Sequence, residues 1–224
     1  MYTCGIDVGS VSTEVVILNS KSNKIESYMI IPTGSDSKNA ARKAFDDSLK
    51  KAGLKSNEIK AIVATGYGRI NIPFAGKNIT EISCHARGAI STFPDLKTVI
   101  DIGGQDSKVI KLEDGNPIDF LMNDKCAAGT GRFLEVMAKA LEINLEEFAH
   151  IFIKTSDKVD ITSTCTVFAE SEIVSLIGHG VDKNKIIKGL IYSIADRITS
   201  MVESCLLYTS DAADELDGVD LGGR

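Results

Sequence analysis

The sequence lacks several features that would assign it to a familiar class. No apolar run approaches the roughly 20 residues that a membrane-spanning helix needs. The first residues do not form a charged segment followed by an apolar one, so we see no signal peptide. The net charge of −6 argues against a nucleic-acid-binding surface, which normally carries a basic stripe. These absences indicate a cytoplasmic protein that binds neither nucleic acid nor membrane.

Paired cysteines are also missing. The 5 cysteines lie far apart, and no C-x-x-C pair occurs among them. In a reducing compartment this pattern excludes a disulfide framework. A scattered cysteine is usually a small buried hydrophobic residue. That interpretation is the starting hypothesis for each of them: Cys4, Cys84, Cys126, Cys165 and Cys205.

Strand-like and helix-like segments alternate in the first part of the chain. Three segments with strand alternation, 2–9, 14–19 and 24–31, are joined by short polar links. A helix is expected at 37–53 with Gly53 as its stop, then a buried strand, then a second helix opened by Thr80 as N-cap. This order is typical of an α/β lobe.

After Pro94 the strand pattern restarts. Three further strand-like segments follow, including "TVIDIGG" and "SKVIKLE", and then four helices at about 130–143, 145–152, 166–178 and 183–204. Because the three opening strands repeat, the sequence predicts two related α/β lobes, one at 1–94 and a C-terminally incomplete one at 95–204.

The last residues change character abruptly. Back-translated, "CLLYTSDAADE" fits a transposase-type sequencing-library adapter, and "GVDLGGR" fits the primer that follows it. We therefore interpret 205–224 as a translated adapter and exclude it from reasoning about the fold. The alternative is an acidic disordered tail.

Two hairpins are candidates for a nucleotide site. In each, an Asp ends a strand and is followed by glycines and polar residues, so that backbone N–H groups can approach phosphate oxygens while the Asp holds Mg²⁺. Neither is a Walker A loop or a dinucleotide fingerprint. One such hairpin could be a plain β-turn, but a nucleotide clamped between two lobes needs one from each. The first supplies Asp7, Gly9, Ser10, Val11, Ser12 and Thr13, and the second Asp101, Gly103, Gly104, Gln105 and Asp106.

Two cysteines are each followed immediately by a helix-like segment. Cys126 lies in "MNDKCAAGTGRF" and Cys165 in "TSTCTVFAES". Alone, Cys126 could be a core residue at a turn, part of a phosphate cradle, or a metal ligand. A thiolate at a helix N-terminus faces free N–H groups, which suits metal ligation. Two thiolates do not complete a four-ligand zinc or iron–sulfur site, but a two-fold dimer would supply four.

Together these segments carry a resemblance. "GIDVGS" and "DIGGQD" resemble the phosphate motifs of the superfamily of acetate and sugar kinases, heat-shock chaperones and actin. With "ATGYGR" and the two cysteine segments, residues 3–204 resemble the ATP-dependent activators of 2-hydroxyacyl-CoA dehydratases, in the BadF/BadG/BcrA/BcrD ATPase family. The resemblance implies a two-lobed actin-like α/β ATPase with ribonuclease H-like lobes, the second one truncated.

The resemblance also implies a function. It implies a homodimeric ATPase in which one 4Fe-4S cluster bridges two subunits and is held by Cys126 and Cys165 of each. A ferredoxin or flavodoxin would reduce the cluster, and ATP hydrolysis would drive one electron to a dehydratase or a benzoyl-CoA reductase type of partner. In this interpretation Asp7 and Asp101 coordinate Mg²⁺ and water, and Gln105 orients the attacking water.

The chain departs from the family's sequence pattern in two places, and two other functions are compatible with part of the sequence. The family usually carries Lys where this chain has Glu14, and its C-terminal glycine motif, which holds the adenosine, has no counterpart here. A small-molecule kinase of the same fold would explain both hairpins, and so would a non-enzymatic actin-like assembly protein. Neither has a use for the paired cysteines.

Overall fold

Two β-sheets organise the chain, one in each of the two units into which it divides, Met1–Asp95 and a second unit that begins at Leu96. The protein is described by a computed structural model, which covers residues 1–162 and 165–215. No helix in that part of the chain is both long and apolar enough to cross a bilayer.

The first unit contains a five-stranded sheet. Its elements are β1 (Tyr2–Val8), β2 (Ser12–Asn19), β3 (Lys24–Pro32), α1 (Ser37–Ala52), β4 (Ile59–Thr65), β5 (Lys77–Asn78) and α2 (Glu81–Thr92). The strand order is β3-β2-β1-β4-β5, with the first three strands antiparallel and β4 parallel to both β1 and β5. Two single turns of 3-10 helix, Ser56–Glu58 and Arg69–Asn71, flank β4.

Alternation in the strands buries one face of this sheet under α1. Ile6 and Val15 are fully buried with Phe45 of α1, and replacing such a buried Phe with Ala typically costs about 3–5 kcal/mol. Asp36 caps α1 by accepting a hydrogen bond from the Asn39 N–H at 3.0 Å. The predicted stop at Gly53 is confirmed, since this residue closes the helix in the left-handed conformation.

The described residues of the second unit form a three-stranded antiparallel sheet and four helices. Its elements are β6 (Thr98–Ile102), β7 (Ser107–Glu113), β8 (Asn116–Asn123), α3 (Gly131–Leu141), α4 (Glu147–Lys154), α5 (Thr166–Gly178) and α6 (Lys183–Glu215). The helices share a core in which Phe133, Met137 and Ile173 are buried. A second cluster joins α6 to β7 through Ile198 and Val109.

The tail set apart at 205–224 begins inside α6. Cys205 is buried and donates to the Val109 carbonyl oxygen at 3.8 Å. The helix continues to Glu215, and 216–224 lie outside the described residues. The origin of the tail stays a prediction.

Candidate functional site

The first phosphate hairpin is the tight link between β1 and β2. The Gly9 N–H donates to the Ser12 carbonyl oxygen at 2.9 Å, which closes the turn. A Cβ at Gly9 would stand 2.9 Å from the same oxygen, so the turn has no room for a side chain there. Ser10 and Val11 are exposed at the tip, where their backbone N–H groups can meet a ligand.

The hydroxyl of Thr13 forms a hydrogen bond in the interior of this unit, away from the tip of the hairpin. Thr13 is fully buried, and its Oγ1 lies 2.8 Å from Oγ1 of Thr33. Thr33 in turn donates to the Gly9 carbonyl oxygen at 2.9 Å. This chain of hydroxyls ties the hairpin to the end of β3, and the hydroxyls nearer the tip are those of Ser10 and Ser12.

The second hairpin, between β6 and β7, repeats the geometry of the first. The Gly103 N–H donates to the Asp106 carbonyl oxygen at 2.9 Å, as Gly9 does to Ser12. A Cβ at Gly103 would stand 2.5 Å from Asp106 Oδ1. Gln105 is exposed at the tip. The two matching segments of the sequence thus form matching turns, each following a strand that ends one residue before its Gly.

Asp7, at the end of β1, has a polar surrounding that the sequence did not reveal. His85 of α2 places Nε2 3.5 Å from Asp7 Oδ2. Glu14 lies opposite Asp7 in the β1–β2 ladder. Burial raises the pKa of Glu14, and the charge of Asp7 raises it further. Asp7 therefore has one neighbour of the same charge and one imidazole.

The "ATGYGR" segment follows β4 beside Asp7. Thr65 is the partner of Asp7 in the parallel β1–β4 ladder. Arg69 donates to the Gly66 carbonyl oxygen at 2.9 Å and to Glu81 Oε2 at 3.0 Å. The arginine fixes this turn to the first turn of α2, the helix that carries His85.

Asp101 occupies the equivalent position in the second unit, but the residue opposite it in the ladder is a cation instead of an acid. Its ladder partner is Lys108, which is only 3% exposed. Lys108 Nζ lies 2.8 Å from Asp106 Oδ2 and 3.6 Å from Asp101 Oδ2. A buried ammonium group thus stands directly behind the second hairpin.

The segment that carries Cys126 is a tightly bound loop, and the expectation that a helix follows this cysteine immediately is wrong. Helix α3 begins five residues later, at Gly131, with Thr130 as N-cap. Asn123 Nδ2 donates to the Cys126 carbonyl oxygen at 3.0 Å and to the Ala128 carbonyl oxygen at 3.1 Å. The chain turns at Gly129, where φ is +87°, before it can enter the helix.

Cys165 agrees with the sequence-based expectation. It is the N-cap of α5, and its carbonyl oxygen accepts the Ala169 N–H at 2.8 Å. The two preceding residues of the motif, 163 and 164, lie outside the described residues. Both Cys126 and Cys165 are partly exposed, whereas Cys4 is buried and burial raises its pKa to about 12. Helices α3 and α5 pack against each other.

The Cys126 loop and the second hairpin are joined by backbone hydrogen bonds. The Gly131 N–H donates to the Gly103 carbonyl oxygen at 2.9 Å, and the Arg132 N–H donates to the Gly104 carbonyl oxygen at 2.8 Å. Two of the free N–H groups that begin every helix are therefore satisfied by the hairpin. The structure brings together two motifs that the sequence presents some 20 residues apart.

Three residues of these surroundings were not assigned from sequence: His85, Lys108 and Arg197, whose Nη1 lies 3.8 Å from Cys126 Sγ. Lys108 could have been found by aligning the two hairpins, since it matches Glu14. His85 and Arg197 reach their partners only through the tertiary fold, and no spacing in the sequence marks them.

The sequence was compared with known protein families and with individual proteins. The sequence matches the BadF/BadG/BcrA/BcrD ATPase family over residues 4–209. It is 50% identical over 199 residues to the activator of lactoyl-CoA dehydratase from Anaerotignum propionicum, a match that covers 88% of this chain and 76% of that protein.

Two solved structures are similar along most of the chain. The (R)-2-hydroxyglutaryl-CoA dehydratase component A of Acidaminococcus fermentans gives a TM-score of 0.86 at 43% identity, covering 91% of this chain and 78% of that one. The activator of 2-hydroxyisocaproyl-CoA dehydratase from Clostridium difficile, with bound ADPNP, gives 0.85 at 42% identity, covering 99% and 78%. The actin-like ATPase fold expected from the sequence is confirmed. The chain belongs to the BadF/BadG/BcrA/BcrD ATPase family and is a homologue of the ATP-dependent activators of 2-hydroxyacyl-CoA dehydratases.

Proposed function

We propose that this protein is an ATP-hydrolysing iron–sulfur activator that delivers single electrons to a 2-hydroxyacyl-CoA dehydratase or a benzoyl-CoA reductase type of partner. It works as a homodimer and receives its electrons from a ferredoxin or flavodoxin. The names of its relatives, as activators of such dehydratases, support the class of partner. The bound ADPNP of one relative supports nucleotide binding.

The two hairpins hold the phosphates of ATP. Each turn is closed by a single backbone hydrogen bond and leaves the N–H groups at its tip for a ligand. Asp7 and Asp101 coordinate Mg²⁺ directly or through water, and Gln105, exposed at the second tip, orients the attacking water. Lys108 compensates the charge of Asp101 from behind.

Cys126 and Cys165 fit one half of a 4Fe-4S site. Both thiols are partly exposed. Cys165 is the N-cap of α5, Cys126 lies in the loop five residues before α3, and these two helices pack together. In the described residues no three His, Cys, Asp or Glu side chains form a metal-binding group. Two thiolates are half of the four that a 4Fe-4S cluster takes, and in a two-fold dimer the second copy supplies the other two. When bound, the cluster would supply one-electron redox chemistry.

Exposed apolar side chains beside Cys165 support the dimer. Val167 is 67% exposed and Phe168 is 68% exposed, and both lie in the first turn of α5, two and three residues after the cysteine. A second copy that shares the cluster would remove this surface from water. Fully burying a Phe or Val side chain is worth roughly 1.5–3 kcal/mol, which offsets part of the cost of association.

The observation that carries the proposal is the pair of hydrogen bonds between the start of α3 and the second hairpin. A displacement of Gly103 and Gly104 when the γ-phosphate leaves is passed to Gly131 and from there to the loop of Cys126. Nucleotide hydrolysis can thus change the surroundings of the cysteine. A sugar or carboxylate kinase, or an assembly protein, has no use for the pair of cysteines that this link reaches.

One experiment tests the proposal. The chain purified under strict anaerobiosis should be brown and contain about one 4Fe-4S cluster per dimer. Cys126→Ser and Cys165→Ser should each abolish the colour and the iron, whereas Cys84→Ser, a half-buried cysteine of the first unit, should keep both. A colourless, iron-free wild-type chain would contradict the proposal.

A further inference from the structure

A positively charged side chain lies beside the sulfur of Cys126. Arg197 of α6 donates from Nη1 to Cys126 Sγ at 3.8 Å and to the Ala128 carbonyl oxygen at 3.1 Å. The residue is 71 positions away in sequence and half-buried. Within the described part of the chain no carboxylate forms an ion pair with it. The guanidinium group is therefore directed at the thiol and at the backbone of its loop.

The position of the guanidinium group is well defined. A Cβ added to Gly129 would stand 2.8 Å from Arg197 Cδ, so the arginine stem lies directly over this glycine. Ile194 and Ile198, on the same helix, pack into the core on either side of Arg197 in sequence. Because the loop and the helix are both fixed, the distance from the charge to the sulfur is fixed too.

Cys126 and Arg197 border the same cavity. A cavity of about 340 Å³ has Cys126 and Arg197 in its wall, together with Asn123 and Ser200. Whatever binds to Cys126 Sγ from this side meets the guanidinium group at the same time. A thiolate and the sulfide-rich anion that it ligates are acceptors for the N–H donors of arginine.

We propose that Arg197 is a positioning residue that raises the reduction potential of the iron–sulfur group held by Cys126; this rests on the proposed function. Reduction adds one electron and therefore one negative charge to the group, with no bond made or broken. A nearby cation and a hydrogen bond to a ligating sulfur stabilise that added charge. In a two-fold dimer both copies of Arg197 act on the same group.

The test is the midpoint potential of the anaerobically loaded dimer, followed by visible absorbance and electron paramagnetic resonance. Arg197→Gln should lower the equilibrium constant for one-electron reduction about tenfold, which is about 59 mV to lower potential. Arg197→Lys keeps the charge, so its midpoint potential should be lowered by no more than half as much as that of Arg197→Gln. The matched control is Lys185→Gln, which removes a cation from the same helix where it pairs with Asp157, and it should leave the potential unchanged.

A second variant covers the case in which Arg197→Gln does not assemble. Ser200 is exposed and lines the same cavity one turn beyond Arg197. Ser200→Asp places a carboxylate where it can neutralise the guanidinium group and should also lower the potential. Ser200→Asn, which has the shape of the Asp side chain without its charge, should not.

Four outcomes are decisive. Equal potentials in the wild type and Arg197→Gln, or equal shifts in the Gln and Lys variants, would overturn the role of Arg197 while the proposed function stands. Equal potentials in Ser200→Asp and Ser200→Asn would do the same. A wild-type chain that takes up no iron under these conditions would overturn both proposals together.

Discussion

Glu14 lies across the β1–β2 ladder from Asp7 at the position that Lys108 occupies opposite Asp101 in the β6–β7 ladder. The two hairpins share their turn geometry and differ in the sign of this one charge. Lys108 is buried against two carboxylates. Glu14 instead has a raised pKa, because burial and the nearby Asp7 both disfavour its ionised form.

The raised pKa predicts a pH-dependent gain in stability for Glu14→Gln. Since the pKa is higher in the folded state than in the unfolded chain, ionisation of Glu14 costs stability as pH rises past its ordinary value near 4.5, and the cost persists at neutral pH. Gln removes the cost. At pH 7.5 we expect a gain of about 0.5 kcal/mol, the scale of a like-charge cross-strand pair.

Thermal unfolding of both proteins at pH 7.5 and pH 4 measures this gain. It should vanish near pH 4, where Glu14 is largely protonated in both states. The exposed Glu113→Gln at the end of β7 is the control and should show no such dependence. An equal shift at both pH values would contradict the assignment.

Glu14→Lys should strengthen nucleotide binding. The substitution puts in the first hairpin the cation that Lys108 provides in the second, and it reverses a charge that repels phosphate. We expect the Kd for ATP to fall about fivefold, or ~1 kcal/mol. Glu113→Lys makes the same change in net charge at the far end of β7 from the hairpin and should leave the Kd unchanged in calorimetric titration; a similar effect in both variants would indicate net charge alone.

His85 should matter for ATP hydrolysis because it contacts Asp7. Its Nε2 lies 3.5 Å from Asp7 Oδ2, so the ring orients the carboxylate that we assign to Mg²⁺. We expect His85→Ala to lower kcat for ATP hydrolysis about tenfold, the lower end for loss of an outer partner of a metal ligand. His150→Ala, at an exposed histidine of α4, is the control. Unchanged kcat in His85→Ala would remove this role.

The sequence predicted the regular elements and the turns well, because both depend on local chemistry. The strand alternation around Ile6 and Val15, the stop at Gly53 and the N-cap at Thr80 all act within a few residues, and the structure confirms each. The two-residue strand β5 was not predicted, since two residues carry no period.

What the sequence did not predict depends on contacts between distant segments. Arg197 reaches Cys126 across 71 positions, and His85 of α2 reaches Asp7 of β1 across 78 positions (85 − 7). The helix expected at about 130–143 is found at Gly131–Leu141. The loop between Cys126 and this helix was not predicted, because the small residues there are also compatible with a helix. The turn at Gly129 is set by partners elsewhere: Ser107 Oγ donates to its carbonyl oxygen at 2.6 Å.

The cysteines should differ in reactivity in the native, iron-free chain. Burial raises the pKa of Cys4 to about 12, so at pH 8 roughly one molecule in 10⁴ carries its thiolate. Burial also raises the pKa of Cys205. Iodoacetamide followed by peptide mass spectrometry should label the partly exposed Cys84, Cys126 and Cys165 before Cys4 and Cys205, and all five cysteines in urea. Labelling of Cys4 as fast as Cys126 would contradict its burial.

Gly131→Ala tests the link between the second hairpin and the Cys126 loop. A Cβ at this position would stand 3.3 Å from the Gly103 carbonyl oxygen and 3.6 Å from Gly104 Cα, so the hairpin has to yield by a few tenths of an ångström. Ala is the better helix former, and overall stability should therefore stay within ~1 kcal/mol. The Kd for ADPNP should rise about fivefold, and the effect of ADPNP on the alkylation rate of Cys126 should shrink. Gly178→Ala at the end of α5, where a Cβ meets open space, is the matched control. If the two variants behave alike in both measurements, the hydrogen bonds from α3 do not transmit the state of the nucleotide to the cysteine.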